Sequence, residues 1–347
     1  MSPFTRIPFA GGEVTRVDDK VIINHVQKLL VRTLGISDTI PNVTPKVVPP
    51  LPISPESKHK NIIKGSPFLY SEKADGVRYL AVLCMVFANG AWRKLCLLCG
   101  RNKETLIVPL VIGERLFLKE SIFDGELVKT WGGNWIYLVF DAYMYEGQSL
   151  ISKPFIERAS YYQRFVDENY AYMPSDPFQV KCKKFFVFRQ ASPEILRSIM
   201  NNNAENKAFD YPTDGVVLIH AHSDVHAGTC KNMLKFKGTH TLDLSVQPHP
   251  DGKGYALCSM RIDARTGEVT MLPHAALDEL PLGVNLADIV ECSLRWDADA
   301  EHMHIEPMHV RRDKDEPNAT WVCERTFQTV KDALTLDELI QTIHTTG

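Results

Sequence analysis

The chain has 347 residues, 44% of them apolar and 23% charged, with a formal net charge of −3. Length and composition suit a globular protein of two domains, and the near-neutral balance does not advertise a nucleic-acid coat, so contact with nucleic acid has to rest on a local basic site. The longest apolar run, Tyr79 to Ala88, is too short for a bilayer and the N-terminus lacks a signal-peptide pattern, so neither a membrane span nor secretion is expected.

Asp18 and Asp19 precede Val21, Ile22, Val26, Leu29 and Leu30 at helical spacing, which predicts an early amphipathic helix. Six prolines between 41 and 55 then remove donors and fix φ, so that stretch reads as an extended strap. Val77 to Ala88 and Ala91 to Leu98 are apolar or β-branched runs joined by Asn89-Gly90, the turn pair of a two-residue hairpin. "IFDGELV" and "WIYLVFDAY" form a second hairpin across "WGGN", and "DGVVLIH" and "NMLKFKG" a further strand pair across a longer loop. Helices are expected at about 154–169 and at 192–202, the latter with Ser192 as N-cap and Pro193 at the first helical position. After about residue 240 the short strands "YALCSMRID", "GEVTML", "DIVECSLRW" and "MHIEPMHV" follow one another between turns, a rhythm suited to a small barrel. The tail "TLDELIQTI" returns to helical spacing with Leu336, Ile340 and Ile343. The class is α+β with mostly antiparallel pairing.

Eight scattered cysteines read as free thiols of a reducing compartment. Cys96-Leu-Leu-Cys99 has no second pair at zinc-ribbon spacing. His220, His222, His226 and Cys230 have a spacing that would admit a metal, but they fall between two strands, where loop histidines are commoner.

Taken singly, "FDGE" reads as a turn, "KFK" as a solvated strand face and "RRDK" as a surface charge run. Their order says more. A lysine with Asp-Gly-x-Arg, then Asp-Gly-Glu, Phe-Asp, Asp-Gly-Val-Val, Lys-x-Lys and Arg-x-Asp-Lys is what a site needs to hold a triphosphate, its metal and a nucleophile. Attack at the α-phosphorus requires cations over the phosphates, in-line positioning and neutralisation of the leaving pyrophosphate. Lys235, Lys237, Arg311 and Lys314 carry such charge, and Glu126 and Asp214 offer the oxygen ligands that Mg²⁺ or Mn²⁺ prefer. A lysine is a nucleophile only when neutral, and neighbouring cations in a dry pocket favour that form. Lys235 and Lys237, two apart on one strand, share a face.

"EKADGVRYL" (72–80), "FDGELV" (123–128), "LVFDAY" (138–143), "TDGVVLI" (213–219), "MLKFKG" (233–238) and "RRDKDEPN" (311–318) resemble motifs I, III, IIIa, IV, V and VI of the covalent nucleotidyltransferases. They are most similar to those of the short single-chain mRNA capping guanylyltransferases. The resemblance spans residues 70 to 320 in order, and its motifs are specific in combination. It implies a nucleotidyltransferase domain of ATP-grasp-like antiparallel sheets over 1–240, with the strap at 41–55. An OB-fold barrel over 241–325 and a helical tail over 326–347, packing back on the first domain, would follow.

The resemblance also implies the chemistry. Lys73 would attack the α-phosphorus of GTP, release pyrophosphate and hold GMP as a phosphoramidate, then pass it to the 5′-diphosphate end of RNA. Arg78 and Glu126 would contact the ribose, Arg101 would serve as a further ribose-phosphate arginine, and Phe140 would stack on guanine with Val217 opposite. Asp214 would sit by metal and phosphates, Lys235 and Lys237 on the α-phosphate, and Arg311, Asp313 and Lys314 on the pyrophosphate side. The OB-fold domain would close the cleft for nucleotidylation and open it for RNA. Ala74 is a departure, since capping enzymes commonly carry a hydroxyl residue there.

Two rivals share parts of this pattern. An ATP-dependent DNA or RNA ligase uses lysyl-AMP, but DNA ligases usually have an aromatic where Ala74 stands, and "DKDEPN" matches the capping form of motif VI. The 70 residues before motif I are also too few for a large DNA-encircling domain. A non-catalytic scaffold binding RNA or a polymerase would be expected to lose Lys73, Glu126, Asp214 or Lys235, and all are present. No triphosphatase or methyltransferase segment is visible, so those cap-forming activities, and RNA polymerase, are expected as partners. Residence in nucleus, cytoplasm or a viral replication site fits the absence of a secretory signal.

Overall fold

Asn89 and Gly90 both take positive φ, 54° and 77°, and close the predicted hairpin, in which Val77–Ala88 pairs with Ala91–Cys99 from Ala88 opposite Ala91 to Leu80 opposite Cys99. Such a turn has the hand that matches the twist of the flanking strands. The computed structural model of the chain describes residues 3–36, 47–100 and 104–344, so Arg101 and residues 41–46 of the strap lie outside the described residues. Two units divide it: one made of Met1–Ile53, Lys60–Phe236 and Leu339–Gly347, the other of Ser54–His59 and Lys237–Glu338.

In the first unit the long hairpin is the centre of a nine-stranded sheet, flanked by Thr105–Ile107 on one side and by Ser121–Lys129 and then Trp135–Tyr145 on the other. Val77–Ala88 is an almost unbroken apolar run because both faces of the sheet are covered. Tyr79, Ala81 and Leu83 pack with Leu116, Phe117, Phe123 and Phe165. Leu80, Val82, Cys84 and Val86 pack with Ile22, Val26, Leu29 and Leu30 of the first helix, Lys20–Thr33. Asp19 caps that helix, accepting from the Val21 N–H at 2.8 Å. Val21 departs from the predicted apolar face: at the first turn it points to solvent and is 56% exposed.

The helix expected at 154–169 is α-helical over Phe155–Arg164 and π-helical over Phe165–Asn169, where the Phe165 ring stacks on Phe123 at 4.2 Å. Pro193–Met200 starts as predicted, the Ser192 hydroxyl accepting from the Ile195 N–H. A second, five-stranded sheet runs Phe186–Val187, Phe68–Ala74, Thr213–His220, Thr229–Lys237, Leu51–Ile53. Trp135–Tyr145 pairs in parallel with Gln179–Cys182, and Thr229–Lys237 with Leu51–Ile53.

The other unit holds five antiparallel strands in the open order Val269–Leu277, Tyr255–Ile262, His240–Pro248, Ile289–Asp297, His302–Val310. Leu242, Leu244, Val246, Leu257, Val290, Cys292 and Leu294 form its core, with Cys323 from the helix Thr320–Asp332. His240–Pro248, the central strand, was not among the expected strands, although Leu242, Leu244 and Val246 alternate with Asp243, Ser245 and Gln247.

Candidate nucleotidyl-transfer site

Lys73 lies near the end of Phe68–Ala74, which pairs antiparallel with Thr213–His220. Ala74 faces Thr213 and Lys73 faces Gly215, so Asp214 is the extra residue of a β-bulge. A bulge re-aims one side chain without ending the strand. Here it turns the Asp214 carboxylate onto the amine, and Lys73 Nζ donates to Asp214 Oδ1 at 2.6 Å. The two side chains are 20% and 27% exposed, open enough to meet a substrate. Val217 and Ser71 are paired two steps along, on the same face of the sheet as Lys73 and Gly215. Ala74, on the opposite face, is fully buried with Val128, Ile136 and Leu138, so the departure from the hydroxyl residue falls in the core.

Two motif glycines are required by close approach. A Cβ on Gly76 would lie 2.5 Å from the Leu127 carbonyl and 3.0 Å from Glu126 Cγ, and one on Gly125 would lie 2.5 Å from the Tyr137 ring. Gly76 therefore lets the chain after Lys73 run against the strand that carries Glu126, and Gly125 lets that strand pack against the Tyr137 ring.

Burial holds the Glu126 carboxyl above the usual carboxylate value, with the Asp214 charge adding to the rise, against the pull of Lys183, Lys73 and Arg78. Lys183 escaped the sequence reading. It is buried, its ammonium lies 3.3 Å from Glu72, and the same carboxylate accepts from Tyr211 and Ser71. The lysine-rich "KCKKF" carried no spacing that separated this buried cation from its solvated neighbours.

The raised Glu126 value has a stability consequence. The folded chain binds that proton more tightly than the unfolded one, so ionisation costs stability as pH climbs from the ordinary Glu value through the raised one, and the cost persists above it. Glu126→Gln is expected to raise the melting temperature at about pH 8 and to leave it unchanged at about pH 4, where the side chain is largely protonated in both states. Thermal melts of both proteins across that range check this; equal shifts at both ends would contradict it.

Arg78, expected at the ribose, is held by protein partners on two sides. Its Nε donates to Asp124 Oδ1 at 2.9 Å, its Nη2 to Asp124 Oδ2, and its Nη1 to the Pro50 carbonyl at 2.7 Å. Asp124 is fully buried and also accepts from the Tyr143 hydroxyl. The Arg78 guanidinium lies 5.4 Å from the centre of the Phe140 ring. Phe140 is itself the extra residue of a bulge: Val139 faces Gly125 and Asp141 faces Asp124. As a result Val139 and Ala142, three apart, enter the same core, while Phe140 stays half-buried.

Lys235 and Lys237 are half-buried, at alternate positions of Thr229–Lys237. In the other unit, Arg311 is held by its own carboxylates: Nε and Nη2 donate to Asp313 at 2.9 and 2.8 Å, and Nη1 to Asp243 at 2.9 Å and Glu291 at 3.3 Å. Hydrogen bonds from Arg311 hold the exposed Asp313 carboxyl down to about 2. Lys314 Nζ lies 3.7 Å from Asp243. His226 pairs with Asp224 at 2.9 Å and the His220 and His222 rings meet edge to face. Among the described residues no group of three or more His, Cys, Asp or Glu is arranged as a metal site.

Mg²⁺ ordinarily takes one or two protein carboxylates together with water and substrate phosphates. Asp214 and Glu126 fit that demand, because the rise in Glu126 caused by burial and by Asp214 is one that a divalent cation would relieve.

The family described as mRNA capping enzyme, catalytic domain, matches residues 12–239. The mRNA-capping enzyme subunit alpha of Neurospora crassa is 24% identical over 227 residues, covering 56% of this chain and 52% of that protein, so the chain spans about half the length of this curated relative. Among solved structures, mycobacterial DNA ligase D complexed with ATP and MES is 12% identical, with a TM-score of 0.43, covering 77% of this chain and 96% of that one. A Lig E DNA ligase is 16% identical, with a TM-score of 0.40, covering 76% and 100%.

Proposed function

Because the chain belongs to the mRNA capping enzyme catalytic-domain family, we propose that it is a guanylyltransferase that carries GMP from GTP on Lys73 to the 5′-diphosphate end of RNA. The observation that carries this reading is the contact between Lys73 Nζ and Asp214 Oδ1 at 2.6 Å, made by a bulge beside Glu126. An amine attacks phosphorus through its lone pair, so the ammonium proton has to leave first, and its acceptance is assigned to Asp214 Oδ1, 2.6 Å away. The Nζ–P bond then forms as the bond from the α-phosphorus to the bridging oxygen breaks, and the electron pair leaves with pyrophosphate.

Lys235 and Lys237 are assigned to the α-phosphate, and Glu126 to the ribose and the metal. Phe140 and Val217 are assigned to the two faces of guanine. Mg²⁺ or Mn²⁺ held by Asp214 and Glu126 would neutralise phosphate charge. Lys183 keeps Glu126 closer to its ionised, ligating form than burial alone would allow. For Arg311, Asp313 and Lys314 the reading rests on the motif order. Arg311→Ala is expected to slow formation of the lysyl-GMP adduct about tenfold or more, the cost of losing a charged phosphate contact, and to leave transfer from preformed adduct to RNA intact. Equal loss in both half-reactions, measured by single turnover, would contradict it.

The open order of the five strands of the second unit, numbered from His240–Pro248 as third, second, first, fourth, fifth, supports an OB-fold, a five-stranded barrel that is commonly only partly closed. The deciding experiment is incubation with radiolabelled GTP or ATP and a divalent ion, followed by a denaturing gel. Acid-labile label from GTP supports the guanylyltransferase; label from ATP alone would make the protein a ligase-type adenylyltransferase.

A further inference from the structure

The Pro-rich strap is placed where it touches two parts of the site. Pro49, Pro50 and Pro52 have no N–H, so the strap pairs through the few donors it keeps and through its carbonyls, and it occurs at the edge of its sheet. The Leu51 N–H donates to the Gly228 carbonyl at 2.7 Å and the Val48 carbonyl accepts from the Gly228 N–H at 3.0 Å, which clips the strap to the start of the strand carrying Lys235. Leu51–Ile53 then runs parallel to that strand, with Leu51 opposite Thr229, Pro52 opposite Cys230 and Ile53 opposite Leu234. Between these anchors the Pro50 carbonyl, with no ladder partner at that residue, accepts from Arg78 Nη1 at 2.7 Å.

We propose that residues 47–53 are a positioning element of the nucleotide site: the Pro50 carbonyl and Asp124 clamp Arg78 between them, which fixes the guanidinium against Phe140 and so fixes the ring on which the base is to stack. In this role Arg78 acts through Phe140. The fork of Asp124 orients its plane, the strap carbonyl prevents it from swinging out, and the half-buried ring has a cation 5.4 Å from its centre. Prolines suit the strap because a chain with φ already fixed loses little freedom on holding that carbonyl in place. The proposal rests on the reading of Phe140 as the base platform.

The test uses the full chain and nucleotide dependence of adduct formation, with GTP and ATP both offered. Pro50→Gly keeps the carbonyl and frees the backbone, and is expected to raise KM about three- to tenfold with kcat nearly unchanged. Leu51→Pro, which removes the donor to Gly228, is expected to do the same; melting curves show whether each variant is folded, and Pro50→Gly, which deletes no hydrogen bond, carries the test if Leu51→Pro unfolds. Arg78→Lys, which cannot make the bidentate contact, is expected to raise KM further and to abolish the effect of Pro50→Gly when the two are combined. An unchanged KM in Pro50→Gly, or an effect that multiplies independently with that of Arg78→Lys, overturns the clamp. Label from ATP alone overturns the guanylyl assignment and leaves the clamp to be judged on ATP, whereas no label from either nucleotide overturns both.

Discussion

Lys73→Ala is expected to abolish covalent labelling by GTP while the melting temperature stays close to that of the unsubstituted protein. The chemical half follows from the need for a nitrogen lone pair at the α-phosphorus, and alanine has none. The structural half follows from burial. The Lys73 side chain is 20% exposed, so truncation leaves space that water can enter, and a partly solvated ion pair with Asp214 is worth only about 0–1 kcal/mol. Labelling that persists in the variant would remove Lys73 as the nucleophile.

Asp141→Asn is expected to have the largest effect on stability, about 3–5 kcal/mol, which is the usual loss when one partner of a buried ion pair is removed. Arg158 is 1% exposed, and its Nε and Nη2 meet the two oxygens of Asp141 at 2.8 and 2.9 Å. Its Nη1 donates to the carbonyls of Lys153 and Ser223 at 2.6 and 2.7 Å. An amide keeps the shape of the carboxylate and strands the guanidinium charge. The double variant Asp141→Leu with Arg158→Met removes both charges and is expected to lose less than the single one. Urea unfolding of both proteins decides this: a single variant within about 1 kcal/mol of the parent would show that the pair is dispensable. Because Asp141 follows Phe140 at the bulge, labelling by GTP is expected to fall with stability in Asp141→Asn.

The elements governed by local rules could be read directly. Asn89-Gly90 dictated its turn through the positive φ that both residues accept, Asp19 and Ser192 capped their helices with side-chain oxygens, and the apolar run Val77 to Ala88 announced a strand. The order of the motifs carried the family, which the match over residues 12–239 shows. The unit assignments were of another kind: Ser54–His59 belongs with the second unit and Leu339–Gly347 with the first, since chain continuity does not decide which core a short segment packs on.

What the sequence by itself determined, then, was the family, and its motifs singled out Lys73, Glu126 and Asp214 as the groups on which the proposed chemistry rests. Which way those groups point was settled only in three dimensions. Strand alternation assigns faces by counting in twos, and at Asp214 and Phe140 a bulge breaks the count, so a carboxylate reaches the lysine and a ring leaves the core. Arg78 pairs with Asp124 and Pro50, and Lys183 with Glu72, because buried charges take the partners that tertiary packing brings to them, and those partners stand dozens of residues away along the chain.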